Sequence, residues 1–201
     1  MAARTQADRS AATRGALIDA TLALLVERGW ARITSVAVCE RAGLTRGAFV
    51  HHFQGLPDLF AAALDARYAE LSAQARDLAP ATSIEELVEG MWESMVATDF
   101  KVVIEAWLAS ANDPALGEAI GPVVESFSKI VQPEVRSDLL PDESARSFFL
   151  LTRETLIGLA LGRATSGGRA VAHETTVLEH LSHLAKEHDA RLARTRTENE
   201  R

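Results

Sequence analysis

The sequence predicts an all-α protein. Alanine and leucine are abundant, β-branched runs are few, and no segment of useful length alternates apolar with polar side chains. At 201 residues and 47% hydrophobic side chains, the chain has material for one large domain or for a small domain joined to a medium one. The lone cysteine, Cys39, allows no internal disulfide, and no N-terminal segment joins basic residues to an apolar run of secretory type. No uncharged apolar run reaches the roughly 18 residues that a membrane span requires. A cytoplasmic protein without a membrane span is expected.

About nine helices follow from the punctuation. The first is expected to start at a Ser10 cap and to carry the stripe Leu17, Ala20, Thr21, Leu24 and Leu25 to a stop at Gly29. Residues 1–8 precede any packing signal and are expected to form an arm. Thr34 or Ser35 caps a second helix over Ser35–Ala42, Gly43 stops it, and Thr45 caps a third over Arg46–His52. Gly55 and Pro57 open a fourth that runs through Phe60, Leu64, Tyr68 and Leu71 to Pro80. Ser83 with Glu86 reads as a capping box for a fifth carrying Ile84, Val88, Met91 and Met95. A sixth is expected over Asp99–Ser110, a seventh from Asp113 and Pro114, an eighth over Asp142–Arg163 and a ninth from His173. Ser166, Gly167 and Gly168 form the loop between the last two.

The second and third helices meet at a corner with the parts of a helix-turn-helix. Ala42 is small where helices cross, Gly43 permits the tight turn, and Leu44 plugs the gap between the helices. Thr45, Arg46, Gly47 and Ala48 open the second helix of the pair, where free backbone amides and two tiny side chains suit a phosphate or a groove wall. Phe49 and Phe53, four apart, should face inward. That leaves Arg46, His51 and His52 outward or on the rim. Arg46 is the best candidate for a guanine or phosphate contact, a solvated charge at a helix start being the plainer alternative. Consecutive histidines point about 100° apart and have no cysteine or aspartate beside them, so no metal is expected. Cys39 reads as a small core residue.

Charge is divided unevenly. Residues 1–60 hold seven arginines and five acids, net +2, and the rest holds fourteen basic and twenty-three acidic residues, net −9. A cationic head on an acidic body fits contact with a polyanion through the head alone.

The segment from Ala42 through Phe49, with Gly29-Trp30 before it and His51-His52-Phe53 after it, resembles the tetracycline-repressor family. The resemblance is close over about 50 residues and looser beyond, where Trp107 to Pro114 looks like the end of the family's sixth helix. It implies a dimeric repressor on double-stranded operator DNA, released by a small-molecule effector. The implied domains are a DNA-binding head over 1–56 and a ligand-binding and dimerisation domain over 57–201. The implied DNA-contacting set is Thr34, Ser35, Thr45, Arg46, Gly47, Ala48, His51 and His52. Two residues depart from the family pattern: Val50 stands where tyrosine is usual and Leu56 where lysine is usual, both positions that commonly touch the DNA backbone. The second helix is also shifted by a residue, which leaves Thr34 and Ser35 the weaker candidates.

In the body, Met91, Trp92, Met95, Trp107 and Phe127 belong to an aromatic and thioether set that suits an apolar cavity, with ordinary core as the alternative for each; Glu105 is either a polar anchor of that cavity or a solvent-facing acid. The eighth helix is apolar nearly all round, with Gly158 and Gly162 four apart, and the ninth adds Val177, Leu181 and Leu184. Together with Phe148 and Leu151 these are the candidate homodimer interface, with intrachain core as the alternative. No cofactor is expected. Alternatives in function are an interaction module of the same fold with weak or no DNA binding and, less favoured, a carboxylate-histidine metal enzyme in a helical bundle using His173, His180, His183 and His188 with Glu179 and Glu187. Against an enzyme, the sequence lacks a phosphate loop, a nucleophile elbow and a His-Glu-x-x-His pair.

Overall fold

The computed structural model describes residues 5–77, 81–97, 100–130 and 136–199, which form nine α-helices and no strand. The chain divides into two compact units. One comprises Met1–Ala69 with Lys101–Phe127, the other Glu70–Phe100 with Ser128–Arg201.

In the first unit, α1 (Gln6–Arg28) is capped by Thr5, five residues earlier than the expected Ser10 cap. Thr5 Oγ1 accepts from the Asp8 amide at 3.1 Å, and the Asp8 carboxylate accepts from the Thr5 amide at 2.9 Å. This reciprocal box satisfies two amide donors at the helix start, so the expected Ser10 cap and the arm over residues 5–8 give way to helix. Residues 1–4 of that arm lie outside the described residues. Gly29 ends α1 at φ +70°, and a short 3-10 turn (Trp30–Arg32) leads to α2 (Ser35–Ala42). Thr34 Oγ1 accepts from the Ala37 amide at 3.1 Å. Gly43, at φ +65°, closes α2 in the left-handed conformation that glycine adopts without steric cost. Thr45 Oγ1 then accepts from the Ala48 amide at 3.2 Å to start α3 (Arg46–His52), and α4 (Leu56–Asp77) follows. α6 (Lys101–Ser110) and α7 (Pro114–Ile130) as far as Phe127 complete the unit. Leu17, Leu24, Leu25, Val38, Phe60 and Leu64 are among its fully enclosed side chains.

In the second unit α5 (Ile84–Ala97), α8 (Glu143–Thr165) and α9 (Glu174–Asn199) pack around one apolar cluster that includes Ile84, Leu140, Phe148, Leu156, Leu181 and Ala185. Half of the predicted capping box is present: Ser83 Oγ accepts from the Glu86 amide at 3.1 Å. The Glu86 carboxylate turns instead to the Thr82 amide and hydroxyl, at 2.7 and 2.9 Å. The first amides of α5, on Ile84 and Glu85, donate to the Asp189 carboxylate of α9, at 2.9 and 3.2 Å. Asp142 caps α8 by accepting from the Ala145 amide at 2.9 Å, and it takes a forked ion pair from Arg191 at 2.7 and 3.0 Å. That guanidinium and the capping amide hold the Asp142 carboxyl down at about 2. Among the described residues no helix is long and apolar enough to cross a membrane.

Candidate nucleic-acid interface

The helix-turn-helix is built on a buried underside. Phe49 of α3 and Phe53 face inward, as their spacing predicts, together with Val38 and Cys39 of α2. The guanidinium of Arg14 lies over the Phe53 ring, 5.3 Å from its centre. Arg41 of α2 grips Glu27 of α1 through two hydrogen bonds of 2.8 and 2.6 Å, which raises the affinity of Arg41 for its proton and lowers that of Glu27. Arg41 thereby joins the two helices and is neutralised locally, although it adds to the positive count of the head.

With α3 anchored on one side, its other side is open. Successive residues turn about 100°, so Arg46, Val50, Gly47 and His51 follow one another over an arc of about 140°. All four are exposed, whereas Ala48 and His52 are half-buried. Val50 is 63% exposed, and Val36 on α2 is 54% exposed. Thr34 and Thr45 are exposed and Ser35 is half-buried; both threonines already serve as caps, so any outside contact would be additional. A Cβ built on Gly47 would meet nothing nearer than Thr45 Oγ1, at an ordinary 3.6 Å, and the residue has no positive φ. Neither packing within the chain nor backbone conformation requires glycine there, although glycine weakens a helix by about 0.5–1 kcal/mol relative to alanine. The His51 and His52 rings stand edge to face, 5.0 Å apart. Among the described residues no group of three or more His, Cys, Asp or Glu is placed to hold a metal ion.

Glu105 takes a different role from the predicted pocket anchor. Its Oε2 accepts from the Trp30 amide at 3.0 Å, and Oε1 lies 3.8 Å from Lys101 Nζ, which itself donates to the Val26 carbonyl at 2.7 Å. A Cβ on Gly29 would sit 2.6 Å from the same carboxylate. Glu105 therefore clamps the end of α1, a partner 75 residues away. Trp107 Nε1 donates to Tyr68 Oη at 3.2 Å, and the Tyr68 ring stacks on Phe127 with centres 3.9 Å apart. Burial pushes the Tyr68 phenol up to about 12, against the opposing pull of the Trp107 N–H.

Met91, Trp92 and Met95 lie in the other unit, half-buried against its core. The Arg163 guanidinium stands 5.4 Å from the centre of the Trp92 ring, held by two bonds of 2.8 and 2.6 Å to the buried Glu174. At the centre of the buried face of α8, Thr152 is fully enclosed, and its hydroxyl has no hydrogen-bond partner among the described residues. The proposed interface residues divide. Phe148 and Leu181, at 6% and 5% exposure, belong to the chain's own core; Val177 and Leu184 pack against it. A Cβ on Gly162 would meet Val171 of the same chain at 3.0 Å, while one on Gly158 would meet nothing within 4 Å. Leu151 is 62% exposed, and Leu150 and Leu161 also stand out from α8.

Residues 17–63 match the family described as bacterial regulatory proteins, tetR family. The HTH-type transcriptional regulator CymR of Pseudomonas putida is 33% identical over 134 residues, covering 64% of this chain and 66% of that relative. The chain belongs to the tetR family. An uncharacterized HTH-type regulator of Mycobacterium tuberculosis is 25% identical over 177 residues, 80% of this chain and 87% of its own length. These tetR-family relatives are transcription regulators, a non-enzymatic class. The fold is shared with a transcriptional regulator from Rhodococcus sp. Rha1 (TM-score 0.66, 20% identity, covering 90% and 96% of the two chains). It is also shared with SCO7518 of Streptomyces coelicolor A3(2) (TM-score 0.61, 22% identity, covering 86% and 98%). Against the tetR-family resemblance, the two positions without their usual side chains fall differently here: Val50 is open on α3, while Leu56 is half-buried at the start of α4.

Proposed function

We propose that this tetR-family regulator is a ligand-responsive repressor that binds double-stranded operator DNA as a homodimer and leaves it when a small apolar or amphipathic effector binds. Residues 1–56 are the DNA-binding domain, residues 57–201 the ligand-binding and dimerisation domain, and the protein acts in the cytoplasm where its operator lies. The outer face of α3 carries this reading: Arg46 is exposed on it, without a hydrogen bond or ion pair to any described residue, beside a glycine that the chain's own packing does not require. Dimerisation is supported by the open side of α8, where Leu150, Leu151 and Leu161 flank Gly158. Effector binding is supported by half-buried Met91, Trp92 and Met95 and by the unbonded Thr152 hydroxyl in the same unit.

The test is fluorescence anisotropy with duplexes from the protein's own upstream region, comparing the protein with Arg46→Ala. The substitution should leave thermal unfolding unchanged and weaken specific binding by about 1–3 kcal/mol, the value of one bidentate base contact. Equal affinity of both proteins for the specific duplex would remove Arg46 from the interface.

A further inference from the structure

We propose that Val50 reads the 5-methyl group of a thymine lying beside the base that Arg46 contacts, an inference that rests on the DNA-binding reading. Val50 stands four residues after Arg46, so the two side chains leave α3 only about 40° apart. It is 63% exposed, the most exposed large apolar side chain among the described residues, on a helix whose other large apolar side chain, Phe49, is buried. A valine has no donor for a phosphate oxygen and gains nothing from facing water. In the major groove, the group that an exposed aliphatic side chain recognises is the thymine methyl, which distinguishes T·A from the other base pairs by apolar contact. Gly47, next along the same arc, presents no side chain to keep the helix from the base edges.

Val50 therefore acts in specificity and not in general affinity. A phosphate contact would appear in the salt dependence of binding, whereas a methyl contact is independent of salt and confined to one base pair in each half-site. Removing one buried methyl from water-excluded contact is worth roughly a fourfold change in affinity.

The experiment takes the duplex that the full-length protein enriches most strongly from a randomised library and replaces its thymines one at a time with deoxyuridine, which lacks only the methyl. For the unaltered protein, one thymine in each half-site should give binding weaker by roughly fourfold. Val50→Ala should bind the parent duplex correspondingly less tightly and be indifferent to that replacement, with the salt slope of both proteins the same. If no replacement matters, or if both proteins respond equally, the proposal is overturned while the DNA-binding reading stands. If no duplex is enriched above non-specific binding, the DNA-binding reading falls and the proposal with it.

Discussion

Replacing Gly158 by leucine separates what a single chain needs from what a pair of chains needs. Gly158 lies inside α8 without a positive φ, and an added Cβ would meet no atom of the chain within 4 Å. In a folded monomer the first atom of the new side chain therefore meets open space, and the substitution raises helix stability by up to about 1 kcal/mol. That gain is common to monomer and dimer and cancels from their equilibrium. At a two-fold interface the bulky side chain enters twice, and overpacking costs about 1–3 kcal/mol at each insertion, or about 2–6 kcal/mol per dimer. The dimer dissociation constant should rise roughly 30-fold or more. Sedimentation over a dilution series measures it, and thermal unfolding of the dilute variant checks that the monomer stays folded. A leucine variant that dissociates at the same concentration as the parent would place Gly158 outside the interface; a parent protein that is monomeric throughout would refute the dimer itself.

Gly47→Ala should raise the unfolding free energy by about 0.5–1 kcal/mol and yet weaken operator binding; unaltered affinity would mean that nothing approaches the helix there. Thr152→Val, close to isosteric, removes a buried hydroxyl without a partner and should stabilise the unliganded protein by about 1 kcal/mol in denaturant unfolding, whereas a marked loss would reveal a hydrogen bond at that hydroxyl. Asp142→Ala should cost about 1 kcal/mol at neutral pH. Because the folded carboxyl titrates at about 2, below its ordinary 3.8, the stabilisation is complete above 3.8 and is lost as pH falls through 2. The stability difference between the two proteins, followed by acid titration, should therefore disappear at the acid end; a difference independent of pH would contradict the ion pair with Arg191.

Much of the head could be read from the chain because its determinants are local. Thr34 and Thr45 bond to amides three residues on, and Gly43 turns the backbone at its own φ, so residue type and spacing suffice. The Thr5 and Asp8 box has the same kind of signature, but it lies well before the apolar stripe that marks the helix. Glu105 shows the limit: a carboxylate between apolar neighbours fits a pocket, and nothing nearby indicates that it serves an amide 75 residues earlier. Periodicity likewise marked the apolar sides of α8 and α9 without telling which chain covers them. Phe148 and Leu181 are covered by their own chain and Leu151 is not; Gly162 receives Val171 of the same chain while its neighbour one turn earlier receives nothing.

The links through Asp189 and Arg191 also order events during synthesis. They reach back 105 residues to the start of α5 and 49 residues to the start of α8. Until α9 has emerged as far as Arg191, the start of α5 lacks the Asp189 carboxylate, and the Asp142 cap of α8 lacks its ion-pair partner. Closing such distant loops is slow relative to local helix formation. The second unit thus gains its final order only once α9 is present, whereas the helix-turn-helix, whose caps lie within three residues of their partners, draws those securing contacts from its own segment alone.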